Sequence, residues 1–198
     1  MRDVTISKVG KEEDKNLIEM MILYTWPSVR FRTPVDDQNL WRLEFRPMEI
    51  LLTADQNSAF CLLTYLMARL LVDDPSTNFL IPISKTMENY ERAQAIDAAF
   101  KQRFFFRTNI HENSPPVIEE LTAYEILFGK GDFCGLFAEF QRVMSGCIKN
   151  CPHTAEVMGC LKNFISGRAT GKLKTLARWQ RDFVDSHPGY THNSILSL

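Results

Sequence analysis

One short stretch constrains this chain most: Trp41-Arg42-Leu43-Glu44-Phe45-Arg46, closed by Pro47. Apolar and charged residues alternate strictly, which is the pattern of a strand. Successive side chains of a strand face opposite ways. Trp41, Leu43 and Phe45 therefore share an apolar face, and Arg42, Glu44 and Arg46 share a polar one. Past Pro47 the phase reverses, and Met48, Ile50 and Leu52 become the apolar set. A bulge near Pro47 accounts for the reversal and returns Glu49 to the polar face. Such a strand cannot stand alone, because its amides and carbonyls need partners and a sheet needs neighbours. Inside the chain the candidates are the weakly patterned "SVRFR" and "FLIPIS". The larger share of the sheet is expected outside it.

Helical patterning dominates the remainder. Asp14 to Tyr24 places Leu17, Met20, Met21 and Tyr24 on one side. The cluster Asp55-Gln56-Asn57-Ser58 suits a helix N-cap, and the apolar run Ala59 to Val72 reads as a buried helix after it. A second helix is expected from about Thr86 to Gln102, broken by "RFFFRTNI". Shorter helices are expected at about Val117 to Phe128, Phe133 to Ser145, Thr154 to Ser166 and Lys172 to His187. In the last of these, Leu173, Leu176, Trp179 and Phe183 recur at helical spacing and read as core. The expected organisation is one partial domain over 1–198, with a strand segment at 1–56 and a helical part at 57–198.

Composition excludes several classes of function. The formal net charge is −1, which gives no electrostatic case for nucleic acid or anionic membrane. The run Ala59 to Val72 is too short to span a bilayer and carries Arg69. The five cysteines are odd in number and scattered, which favours a reducing compartment over a disulfide framework. No secretory leader is visible in the polar start, so a cytoplasmic protein is expected. Cys147, Cys151, His153 and Cys160 lack the paired C-x-x-C spacing of zinc sites; they read better as small residues around a helix break at Pro152. His111, His153 and His192 have no nearby carboxylate or cysteine at catalytic spacing and receive no role.

A row of charges on a strand is most simply a solvated face with cross-strand ion pairs. Two details point further. The row contains arginine but no lysine, and the guanidinium fork suits phosphate and carboxylate. Trp26, Trp41 and proline-rich segments bracket it, as in a cleft wall.

"WRLEFRPMEILLTADQNSAF" resembles a signature segment of the eukaryotic-type glutamate–cysteine ligase catalytic subunit. "TWPSVRFRTP", "FLIPISKTMENYERAQAIDAAFKQRFFFR" and "GRATGKLKTLARWQRDFVDSHPGY" are similar to further segments of that family, in the same order. The resemblance runs from about Arg2 to Ser194 and is loose between Asn113 and Cys160. It implies an α+β protein, the mostly helical C-terminal part of a glutamine-synthetase-like fold with a few antiparallel strands. Family members are several times longer, so the chain is expected to be a portion that is inactive alone.

The family joins the γ-carboxylate of L-glutamate to L-cysteine at the expense of ATP, through a γ-glutamyl phosphate, as the first step of glutathione biosynthesis. Mg²⁺ and ATP are therefore implied, and a regulatory (modifier) subunit is a candidate partner. By resemblance Glu44 matches a metal-ligand glutamate. Arg46 matches an arginine that contacts substrate or the transferring phosphoryl group, making it the catalytic and substrate-binding candidate. Trp26 matches a tryptophan near the cysteine pocket, although the family's usual preceding Asn is missing here. Arg30, Arg42 and Glu49 are supporting candidates, and Lys85 is a weaker nucleotide candidate against a plainly solvated lysine. Two rivals remain: a non-catalytic helical interaction module, and another carboxylate–amine ligase of the same superfamily.

Overall fold

The computed structural model describes residues 29–32, 42–46, 48, 50–111 and 114–191. They fall into two compact units divided between Ile50 and Leu51.

In the first unit, β1 (Val29–Arg32) pairs antiparallel with β2 (Arg42–Phe45). The register sets Val29 opposite Phe45, Arg30 opposite Glu44, Phe31 opposite Leu43 and Arg32 opposite Arg42. "VRFR" is thus a partner within the chain for the charged strand. "FLIPIS" is not: it runs without regular structure into a helix that begins at Ile83. Pro47, where a bulge was expected, lies outside the described residues. The expected apolar set after it is turned outward, since Met48, Ile50 and Leu52 are all exposed and Leu51 is the buried residue.

The second unit contains eight helices and one strand pair among the described residues. Helix α1 (Ala54–Asp73) starts one residue before the polar cluster that was expected to cap it, so the cluster lies in its first turns. Its N-cap is Thr53, whose hydroxyl accepts the Gln56 N–H. Asn57 instead folds back, accepting from Leu51 N–H and donating to Leu51 O, which pins the entry to the helix. The expected Thr86–Gln102 helix is two helices, α2 (Ile83–Ala93) and α3 (Ala98–Lys101). Between them Asp97 takes a left-handed φ of 62°.

Strand β3 (Arg103–Arg107) pairs antiparallel with β4 (Ile118–Thr122), Phe105 facing Glu120. The expected Val117–Phe128 helix is therefore a strand followed by α4 (Ala123–Phe128). A reciprocal capping box makes the switch sharp: Thr122 Oγ1 accepts Glu125 N–H, and the Glu125 carboxylate accepts Thr122 N–H. Then come α5 (Leu136–Val143), α6 (Ser145–Asn150), α7 (Pro152–Ala169) and α8 (Leu176–Ser186). Pro152 opens α7 in its first turn, where no amide partner is needed. Gly129 (φ +100°) closes the turn before α5; a Cβ there would sit 2.6 Å from Phe133 O, so no other residue fits.

The core lies between α1, α5 and α7, built on Leu66, Leu70, Phe140 and Leu161. Aromatic rings carry it outward: Phe106 packs between Phe79 (6.0 Å) and Phe133 (5.6 Å).

Helix α2 turns its polar side to β3. Asn89 mimics a strand, accepting Phe105 N–H and donating to Phe105 O, while Lys85 Nζ lies 3.7 Å above the Phe105 ring. Ile83, Met87 and Tyr90 face out. The last helix begins at Leu176, so Leu173 of the expected core stripe precedes it, and the stripe is largely exposed: Leu173, Trp179 and Phe183 are open to solvent, and Trp179 stacks on Phe183 at 5.5 Å.

Candidate functional site

The β1–β2 pair sets the charged row. Glu44 lies in the middle of β2 and Arg46 just beyond its end, so the two side chains emerge on one side of the backbone. Arg46 Nε stands 3.6 Å from Glu44 Oε1, and both side chains are partly buried, at 27% and 32% exposure. Arg42 is exposed. Arg30 is placed directly across the ladder from Glu44. Trp26, Trp41 and Glu49 lie outside the described residues.

A half-buried Glu–Arg pair has a definite capacity. A guanidinium presents several donors in a plane, the geometry that suits phosphate or carboxylate. A carboxylate is a hard oxygen ligand, and an arginine beside it limits repulsion when a second anion arrives. Among the described residues no group of three or more His, Cys, Asp or Glu side chains converges as a metal site. A magnesium ion takes several oxygen ligands, more than one carboxylate supplies.

Lys85 belongs to the second unit. Its ammonium sits over Phe105 and 3.4 Å from Glu88, so it serves the α2–β3 packing. Among the cysteines, Cys61, Cys134, Cys151 and Cys160 are free and exposed. The Cys151 thiol is held below its usual value, chiefly by a hydrogen bond with the Thr154 side chain.

One charged cluster escaped the sequence. His111 Nε2 is 3.0 Å from Glu139 and its Nδ1 is 3.6 Å from Asp74. Arg142 bonds both carboxylates at 2.8 Å. The Glu139 carboxyl titrates below the usual range: burial opposes this, and the hydrogen bonds from Arg142 and His111 outweigh it. Its members come from the end of α1, the segment after β3, and α5. No short-range spacing could have announced it.

Against known proteins, the glutamate-cysteine ligase family model matches residues 5–198. The chain is 35% identical to a glutamate–cysteine ligase of Dictyostelium discoideum over 199 aligned positions, covering 96% of this chain and 32% of that protein. It is 34% identical to the glutamate–cysteine ligase catalytic subunits of Mus musculus and Homo sapiens, covering 87% of this chain and 30% of each. The chain thus spans about a third of the length of the curated relatives it matches. A match over nearly every residue, including the strand that carries Glu44 and Arg46, means that this chain belongs to the glutamate–cysteine ligase family.

Proposed function

We propose that this chain supplies the C-terminal part of a glutamate–cysteine ligase, within a glutamine-synthetase-like fold. Residues 1–56 provide active-site wall and 57–198 its helical support. The reaction is ATP-dependent ligation of the L-glutamate γ-carboxylate to the amine of L-cysteine. The γ-phosphoryl group of ATP first moves to the glutamate carboxylate, releasing ADP. The cysteine amine then attacks the acyl carbon and displaces inorganic phosphate. The observation that carries this reading is the Glu44–Arg46 pair inside a segment matched by the family along its whole length.

The residues contribute charge and position. Arg46 binds the anionic oxygens of the transferring phosphoryl group or of the carboxylate being activated, and its stabilisation grows as charge spreads there. Glu44 keeps the guanidinium oriented and would hold Mg²⁺, which supplies charge neutralisation on the phosphates when bound. Trp26 lines the cysteine pocket, with Arg30, Arg42 and Glu49 in support. A regulatory subunit is a candidate partner, and the compartment is the cytoplasm. No helix among the described residues is long and apolar enough to cross a membrane.

The test is ATP turnover by a full-length family enzyme carrying this segment in place of its own, with glutamate and a panel of amines. Turnover with cysteine in preference to other amines is expected. Equal turnover with another amine favours a different carboxylate–amine ligase. Unchanged turnover after Glu44 and Arg46 are both replaced favours a non-catalytic helical module.

A further inference from the structure

A groove follows the line where α1 meets α7. It consists of two adjoining hollows of about 480 Å³ and about 460 Å³, which share Gln56 and Phe164. The floor of the first is apolar: Ala59 and Leu62 come from α1, and Val157, Cys160, Leu161 and Phe164 from α7. The two ends differ in charge. Asp55 and Glu156 line the first hollow and no cation does, whereas Arg168, Lys172 and Lys174 line the second and no acid does. Glu156 lies 3.6 Å from His153 in a pair open to solvent. The basic end is ordered: Arg168 donates to Lys174 O at 2.8 Å, and Lys174 meets Asp182 at 2.7 Å. Lys172 is exposed.

Helix α2 carries the complementary surface. With its polar side on β3, it points Ile83, Met87 and Tyr90 outward, at positions i, i+4 and i+7, and Leu80 extends the stripe. That is the anchor spacing of a helix that lies in an apolar groove. Its polarity matches the groove as well. No side chain caps its N-terminus and no acid stands in its first turn, so its free amides present the positive end of the helix dipole. At the other end Glu91 is exposed beside the negative carbonyls, while Arg92 is turned away onto Glu88 and Glu120. The lengths agree too. The 11 residues of α2 span about 16 Å, and α7 from Glu156 to Arg168 spans about 18 Å. Laid along α7, the helix puts its N-terminus by the acids and Glu91 by the cations.

We propose that the α2 stripe of one copy of this chain docks in the α1–α7 groove of a second copy, with Ile83, Met87 and Tyr90 on the apolar floor and Glu91 at the basic end. Two different surfaces meet in this contact, so each added copy leaves one of each free and assembly continues past the dimer. Neither surface includes a residue proposed for the ligase reaction, and the docking is independent of that reading.

Mixing two variants tests it by sedimentation velocity. Ile83→Glu with Met87→Gln spoils the stripe and leaves the groove. Val157→Glu with Cys160→Gln spoils the groove and leaves the stripe. All four positions are exposed, and a thermal melt checks that each variant keeps its fold. The unaltered chain should form a series of growing species as its concentration rises. Each variant alone should stay a monomer. An equimolar mixture of the two should form a dimer and nothing larger, because one working stripe and one working groove remain to pair. Any of three results would overturn the proposal: an unaltered chain that is monomeric at every concentration, a groove variant that associates as the unaltered chain does, or a mixture that stays monomeric.

Discussion

Arg46 Nε lies 3.6 Å from Glu44 Oε1, and the two side chains share the polar side of β2 and its exit. In a full-length family enzyme carrying this segment, Glu44→Gln keeps the size and removes the charge. Arg46→Lys keeps the charge and loses the planar fork. Both should lower kcat by ~10²–10³, because the contacts are made most fully in the transition state. Only Glu44→Gln should raise the magnesium concentration needed for half-maximal rate. Steady-state kinetics across a magnesium series checks both. Wild-type kcat and magnesium dependence in folded variants would leave the pair as surface decoration.

The purified chain alone should form no γ-glutamylcysteine. Magnesium on a nucleotide relies on carboxylates together with phosphates, and the described residues gather no acidic cluster around Glu44. Product measured by chromatography after prolonged incubation with glutamate, cysteine and magnesium–ATP should stay at background. Product formation that follows the protein through successive columns contradicts this.

Asp97 is a clasp with a pH signature. Its carboxylate is only 4% exposed and meets Lys101 at 2.7 Å and Arg178 at 2.9 Å, joining α3 to α8. The hydrogen bond from Lys101 is the largest influence and lowers its pKa; burial opposes it, and Arg178 lowers it further. A folded-state pKa below the unfolded value means stability fully present above the ordinary carboxylate range and lost as pH falls through the folded value. The loss should begin near about pH 4 and continue downward. Asp97→Asn tolerates the left-handed backbone but lacks the charge. It should reduce the urea midpoint at pH 7 and make the fall between about pH 4 and pH 2 shallower than in wild type. An unchanged acid slope would remove Asp97 from the account.

Arg107 is 4% exposed and holds the connection between β3 and β4 together. It donates to Asn109 O, Asn109 Oδ1 and Ser114 O at 3.1–3.2 Å. Arg107→Met fills the volume but removes the donor to Asn109 O and Ser114 O, and should cost about 3 kcal/mol. Arg107→Lys keeps the charge without the fork and should recover only part of that. Chemical denaturation of both variants measures the difference.

The charged strand was legible because its alternation admits one reading, and Glu44 and Arg46 are neighbours two residues apart on it. The β3–β4 pair was not. "RFFFR" has three phenylalanines in a row and no alternation, and "IEELT" is composed largely of residues at home in a helix. Pairing in the fold outweighed local preference, as it commonly does for strands. The stripe on α8 was legible as periodic, but periodicity does not say what covers a face. In α2 it is Asn89, Arg92 and Lys85 that turn inward, because the Phe105 ring and its backbone offer partners to polar groups. The His111 cluster depends on contacts between distant segments, Asp74 with Arg142 among them, and has no local pattern.

With its polar side turned inward, α2 leaves an apolar stripe exposed on the isolated chain. Leu80 and Ile83 are 77% and 80% exposed, and Met87 and Tyr90 continue the same outward stripe. Exposed apolar faces of this kind favour association. The chain should therefore self-associate, with a sedimentation coefficient that rises with concentration. Ile83→Glu with Met87→Gln breaks the stripe without touching the β3 side of the helix, and a glutamate in the first turn suits the helix dipole. The double variant should sediment as a monomer over a wider concentration range while keeping its melting temperature. Association unchanged in the double variant would move the sticky surface to another exposed patch, of which Leu43 and Phe45 on β2 are the next candidates. A wild-type chain that stays monomeric at every concentration would show that the outward face of α2 is not adhesive at all.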